Sequence, residues 1–215
     1  MRPIGRLHVL TDTELQTKFT HLELARLAIS GGADTIQFRQ KTGTTRELIL
    51  VARELKKLCD EAGATFIVND RVDVALAVGA AAVHLGQADF PIPLARELLG
   101  PDRVVGGSAS TLEEARKCLA EGADYVGFGP VYPTGSKADA APAAGLDLLR
   151  EVARASPRPV IAIGGVGIGN LPEVLGAGAH GIAVISAVCC QPDPESAARA
   201  LRAALDAVVA GVPRG

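Results

Sequence analysis

Apolar and polar positions alternate along this chain in two periods, and the periods take turns. Short runs such as "LHVL" (7–10), "TFIV" (65–68) and "VIAI" (160–163) are nearly all apolar over four residues, the signature of strands buried on both faces. Between them lie longer stretches with apolar residues every three to four positions: "TRELILVARELKKLCDEAG", "TLEEARKCLAEGA" and "PESAARALRAALDAVV". These spacings predict amphipathic helices. Thr111 followed by Glu114 predicts a capping-box start for the second of them.

The strand pattern repeats. "GGADTIQFRQ" (31–40), "VGAAAVHLGQ" (78–87), "EGADYVGFGP" (121–130) and "AGAHGIAVIS" (177–186) share one plan: Gly-Ala, two short residues, then an apolar run that finishes polar or glycine-rich. The Gly before Ala falls at 32, 79, 122 and 178, at intervals of 47, 43 and 56. Each suits the left-handed position that closes a helix before a strand. Further strands of the same kind lie at 6–12, 65–70, 103–109 and 159–166, which makes eight. Eight buried strands alternating with helices predict parallel βαβ units. An open dinucleotide-binding sheet needs G-x-G-x-x-G, and the nearest approach, Gly167 and Gly169, has Pro172 in the third glycine's place. The expected fold is therefore an α/β, single-domain (β/α)8 TIM barrel over residues 1–215, with the barrel proper at about 6–208, at the compact end of roughly 200–250 residues for this architecture.

Composition removes several classes of function. Lys and Arg number 22 against 24 Asp and Glu, a net charge of −2, and there are seven aromatics in all. That leaves neither the basic surplus nor the stacking rings of a nucleic-acid binder. No stretch approaches the ~18 uninterrupted apolar residues of a membrane span, and the first residues lack a signal-peptide core. A cytoplasmic protein is expected, with no nucleic acid or membrane as partner. Cys59, Cys118, Cys189 and Cys190 show no metal or redox spacing and read as reduced, mostly buried thiols. His8, His21, His84 and His180 resemble no metal site and read as structural. Apolar helix faces of such barrels commonly support a homodimer.

Chemistry in such barrels gathers at the C-terminal ends of the strands, and here the polar residues gather there too. In "QFRQK", alternation puts Gln37, Arg39 and Lys41 on one face and turns Ile36 and Phe38 towards the helices. Two cations and an amide at one mouth read as an anion clamp or as a solvated strand end. The next strand ends in Asn69-Asp70, and Asp89 follows nineteen residues after Asp70. Two carboxylates at adjacent strand ends beside cations suit Mg²⁺, which takes one or two carboxylates, waters and phosphate oxygens. The other reading has them as helix caps, Asp70 before the helix that begins at Val72. Thr134, Ser136 and Lys137 lie in a polar loop after the sixth strand. Gly164, Gly165, Ile185 and Ser186 follow strands seven and eight, where backbone N–H groups commonly cradle phosphate.

"QFRQK", "IVNDRVDVALAVGAAAVHLGQADFP", "GGSAS", "YVGFGPVYPTGSK", "VIAIGGV" and "GIAVISA" together resemble, in order, the successive motifs of the thiamine phosphate synthase family. The resemblance runs from about residue 6 to 190. The wider superfamily includes thiazole tautomerases. The resemblance implies condensation of hydroxymethylpyrimidine diphosphate with a thiazole phosphate, releasing diphosphate. It implies Mg²⁺ on Asp70 and Asp89, diphosphate contacts from Arg39, Lys41, Asn69 and Lys137, and pyrimidine contacts from Gln37 and Ser108. Thiazole-phosphate contacts would come from Thr134, Ser136, Gly165, Ile185 and Ser186, and Arg39, Lys41, Ser108 and Lys137 would serve the chemistry. One departure stands out. The family often has Gly-x-Ser-x-His after strand five, and this chain has Gly106-Gly107-Ser108-Ala109-Ser110. The missing histidine counts more against a tautomerase than against a synthase. A tautomerase, or a non-catalytic thiazole-phosphate binder on the same barrel, stays as an alternative.

Overall fold

A computed structural model describes residues 4–136 and 142–211. Eight strands, β1 (Leu7–Thr11), β2 (Thr35–Phe38), β3 (Thr65–Asn69), β4 (Ala82–Leu85), β5 (Val104–Ala109), β6 (Tyr125–Phe128), β7 (Val160–Ile163) and β8 (Gly181–Val184), alternate with helices. They pair in parallel and in chain order into a closed barrel, β8 closing on β1 through Leu7–Ile182 and Val9–Val184. The helices are α1 (His21–Ser30), α2 (Thr45–Ala62), α3 (Val72–Val78), α4 (Ile92–Leu99), α5 (Leu112–Ala120), α6 (Gly145–Ala155), α7 (Leu171–Gly176), α8 (Ser186–Cys189) and α9 (Pro194–Gly211). The predicted TIM barrel is what forms. None of the helices is long and apolar enough to cross a membrane, among the described residues.

The short apolar runs have their two faces divided between two layers. Val9, Ile36, Phe38, Phe66, Val68, Val83, Val105 and Phe128 pack outward against the helices. Leu10, Ile67, Ala82, Val104, Tyr125, Ile161 and Ala183 fill the barrel itself. Gln37 pairs in register with Leu10 on one side and Ile67 on the other, so it belongs to the inner layer, as the alternation of "QFRQK" predicts.

The repeated glycines carry positive φ: 97° at Gly32, 66° at Gly79, 97° at Gly122 and 97° at Gly178. A residue with a Cβ is disfavoured there, which explains why the same Gly-Ala step recurs before four strands. One predicted cap is shared with the residue before it. Thr111 accepts the Glu114 N–H at 3.1 Å, and the Glu114 carboxylate, besides drawing on the Thr111 N–H, turns chiefly to Ser110. It takes the Ser110 N–H at 2.6 Å and the Ser110 hydroxyl at 2.8 Å. Ser110 offers two donors from one residue, and a backbone N–H alone offers one. The four cysteines are free thiols, three of them buried and Cys190 exposed.

Candidate active site

The strand C-termini open on a cavity of about 390 Å³. Arg39, Lys41, Asn69, Asp70, Asp89, Ser108, Thr134, Ser136, Gly164, Gly165, Ile185 and Ser186 all line it. Ends of seven strands, spread along the chain from Arg39 to Ser186, thus meet at one rim. Gln37 sits just beneath, 3% exposed, and its Oε1 has no hydrogen-bond partner. A buried acceptor left open in this way is costly unless a ligand completes it. Lys137 lies outside the described residues.

Asp70 is the only non-glycine residue with positive φ (64°) among those described. Asp tolerates this left-handed conformation better than most side chains, and strain of this kind concentrates at functional sites. Its backbone N–H is held by the His84 carbonyl at 2.8 Å. The consequence is directional. Arg71, not Asp70, is the N-cap of α3, and no side chain caps that helix. Asp70 instead forms an ion pair with Lys41 and shares a hydrogen bond with the Asp89 carboxyl. The helix-cap reading of Asp70 is therefore wrong, because the backbone turns the carboxylate into the cavity.

Burial pushes the Asp70 pKa up, and the hydrogen bond with Asp89 adds to that, while Lys41 pulls the other way. Burial would raise Asp89 as well. The hydrogen bonds from Asp70 and from the Gly86 N–H, the latter at 2.7 Å, outweigh it and hold Asp89 below the usual carboxylate range. Two neighbouring carboxyls cannot both ionise cheaply, which is why their pKa values are pushed apart, Asp70 upward and Asp89 downward.

The cations are not a bare clamp. Lys41 is tied to Asp70, and Arg39 is tied to Asp12, a carboxylate 0% exposed at the end of β1. Asp12 was not legible as a site residue, since only closure of β1 against β2 brings it to Arg39. Around the rim two described cations face three carboxylates, before Glu114, which also lines the cavity, is counted.

On β5, the Ser108 hydroxyl lies 2.8 Å from His84 Nε2, and His84 Nδ1 lies 2.9 Å from the Tyr125 hydroxyl. Burial holds the Tyr125 phenol well above its usual pKa, so it keeps its proton. In the tautomer where the phenol donates to His84 Nδ1, Nε2 donates to Ser108 and leaves the serine O–H to turn to a ligand. His84 is hydrogen-bonded, as the structural reading of the histidines expects, but its partner is a site residue. Its signal in the sequence was its phase: Val83 packs outward, so His84 points into the barrel. Gly127 makes the room, for a Cβ there would come within 2.8 Å of the imidazole.

The opposite wall is built from the exits of β6, β7 and β8. The N–H groups of Val131 and Tyr132 bond the carbonyls of Ile163 and Gly164 at 2.9 and 3.0 Å. Gly164 and Gly165 have φ of 90° and 65°, and a Cβ on Gly165 would lie 2.6 Å from that of Tyr132. The Ser136 hydroxyl bonds the Ser186 hydroxyl at 3.1 Å, which ties the β6 loop to the start of α8. Two hydroxyl-bearing segments and a glycine pair thus face the carboxylate–cation wall across one cavity.

Residues 7–188 match the family model described as thiamine monophosphate synthase. The chain belongs to the thiamine monophosphate synthase family. It is 55% identical over 197 residues to a thiamine-phosphate synthase of Methanocella arvoryzae, covering 92% of this chain and 93% of that one. A thiamine-phosphate synthase of Salinibacter ruber is 51% identical over 208 residues, covering 97% and 92%. Among solved structures, a thiamine phosphate pyrophosphorylase from Pyrococcus furiosus superposes with a TM-score of 0.87 at 43% identity, covering 95% of this chain and 96% of that one. Membership of the thiamine monophosphate synthase family makes this barrel an enzyme, a transferase, and favours the synthase over the tautomerase and over a passive binder.

Proposed function

We propose that the chain condenses hydroxymethylpyrimidine diphosphate with hydroxyethylthiazole phosphate, giving thiamine phosphate and diphosphate, with Mg²⁺ as cofactor. The observation that carries the site assignment is the convergence of Asp70, Asp89 and Lys41 on one cavity, with Lys41 ion-paired to Asp70. Two neighbouring carboxylates, one with its backbone at positive φ, are an expensive arrangement that a divalent cation relieves. With Arg39 and Lys41 both already paired, the rim lacks the positive charge to receive a diphosphate alone. The donor set fits Mg²⁺, which favours one or two carboxylates with substrate phosphate oxygens and water. Asp70 and Asp89 would hold the ion, and it would neutralise charge on the departing diphosphate.

The chain's own residues do the rest. The C–O bond to diphosphate breaks with its electron pair leaving on oxygen, and the aminopyrimidine delocalises the methylene cation that remains. Arg39, Lys41 and Asn69, with Lys137 as the fourth contact implied by the family motif, take up the charge growing on the leaving oxygens. Gln37 and the Ser108 hydroxyl, the latter aimed by His84, orient the pyrimidine. Thr134, Ser136, Gly165, Ile185 and Ser186 hold the phosphate of the thiazole, so that the thiazole nitrogen lies in line with the cation and its lone pair forms the new C–N bond. No proton has to be removed from either partner for that bond to form. The Ser108–His84 pair is then needed only to orient substrate, and Ser110 in place of the family histidine is tolerable. Both substrates are phosphorylated small molecules, in keeping with a cytoplasmic enzyme.

The test is a reaction with both substrates, followed by mass spectrometry for thiamine phosphate and diphosphate. Both products with Mg²⁺ and neither with chelator support the reading. Binding of thiazole phosphate with no turnover, or isomerisation of a thiazole substrate without metal, overturns it.

A further inference from the structure

Asp12 belongs to none of the motifs above, yet it is the most completely buried charge at the rim, 0% exposed. One of its carboxylate oxygens, Oδ1, accepts the N–H groups of Glu14 at 2.8 Å and Leu15 at 3.1 Å. Its carbonyl accepts the Gln16 side-chain amide at 3.1 Å. The loop after β1 is therefore folded around this residue, and the remaining oxygen, Oδ2, is left pointing at Arg39 Nη1. The two strand ends are also latched through the backbone, Arg39 N–H to Thr11 carbonyl at 3.2 Å.

Arg39 is 7% exposed and lines the cavity. Its guanidinium is a rigid plane, so fixing Nη1 fixes where the other donors point. One of them, Nε, is buried with no hydrogen-bond partner. A buried guanidinium held on one side by a carboxylate, with a donor unused, is set up to receive a second anionic oxygen. We propose that Asp12 is a positioning residue: it aims Arg39 at the diphosphate of the pyrimidine substrate and has no contact with substrate itself. This rests on the reading that Arg39 meets that diphosphate.

The competing role for Asp12 is purely structural, as the closure of the 12–15 turn. A double-variant cycle separates the two. Asp12→Asn keeps the shape and the oxygen that accepts Glu14 and Leu15. Arg39→Met keeps the apolar length of the side chain and removes its donors. For each single variant and the double, KM is measured for both substrates, with inhibition by inorganic diphosphate in Mg²⁺ as a binding probe. The positioning role predicts that Asp12→Asn raises KM for the pyrimidine diphosphate, and Ki for diphosphate, about tenfold or more. KM for thiazole phosphate should stay within about twofold, and in the Arg39→Met background Asp12→Asn should change nothing further. Wild-type kinetics for Asp12→Asn beside a crippled Arg39→Met overturns the positioning role alone. Wild-type kinetics for Arg39→Met overturns the diphosphate reading with it. An equal loss from Asp12→Asn in both backgrounds, or equal rises in both KM values, assigns Asp12 to the turn. Should Asp12→Asn alone fail to fold, the double variant against Arg39→Met still decides: equal kinetics support positioning, and a further loss contradicts it.

Discussion

At the scale of single residues, the Asp70–Asp89 pair concentrates the energetics of the site. Asp70 has its pKa raised by burial and by Asp89, so the folded protein binds that proton more tightly than the unfolded chain does. The linked stability is fully present below the unfolded-state pKa and is lost as pH rises through the folded-state value. As pH rises the pair gains negative charge in a partly buried site, and Mg²⁺ should relieve it. We predict that saturating Mg²⁺ raises Tm at about pH 7.5 and that the gain shrinks as the buffer is acidified towards the raised Asp70 pKa, because the proton then competes with the metal. Thermal unfolding with and without Mg²⁺ across that range checks this. A Tm gain that grows in acid would contradict it. Much at this scale was hidden in the sequence. Asn69-Asp70 after a buried strand marked the place, but the positive φ that decides between helix cap and cavity ligand is a property of the turn. The Asp12–Arg39 and His84–Ser108 partnerships depend on which strands become neighbours, and no local spacing records that.

At the scale of elements, the strands and helices were the most legible part. Buried runs of four to six residues are too short for helices and fit strands packed on both faces, and the Gly-Ala step before them marks a turn that needs positive φ. What could not be read was how one loop leans on the next. The β6 exit is hydrogen-bonded to the β7 exit, and the glycine pair packs directly on Pro130 and Tyr132. Gly165→Ala places a methyl 2.6 Å from the Tyr132 Cβ at a φ of 65°. This should displace the phosphate-facing wall and leave the carboxylate–cation wall in place. The expected result is a rise of about tenfold or more in KM for thiazole phosphate, with KM for the pyrimidine diphosphate nearly unchanged. Steady-state kinetics with each substrate varied in turn checks it, and a change confined to the pyrimidine diphosphate would refute the division of the site into two walls.

At the scale of the whole molecule, the barrel separates stability from chemistry by putting them at opposite ends. At the N-terminal end Asp34 accepts the N–H groups of Arg6 at 2.9 Å and Leu7 at 3.1 Å, and Arg202 Nη1 at 3.1 Å. It thereby pins β1 and α9 to the start of β2. Asp34→Ala should cost about 2–3 kcal/mol of stability, since it strands several partly buried donors. Urea unfolding should show the loss, and kcat and both KM values should stay within about twofold of wild type. Altered KM values would mean that the two ends are coupled. The central claim, that acidic and basic groups from separate strands act on one metal-dependent leaving group, has a more direct test. Calorimetric titration with inorganic diphosphate should show binding to the wild type only when Mg²⁺ is present, and none to an Asp70→Asn/Asp89→Asn double variant that still folds. Equal binding without Mg²⁺, or undiminished binding to that variant, would contradict it.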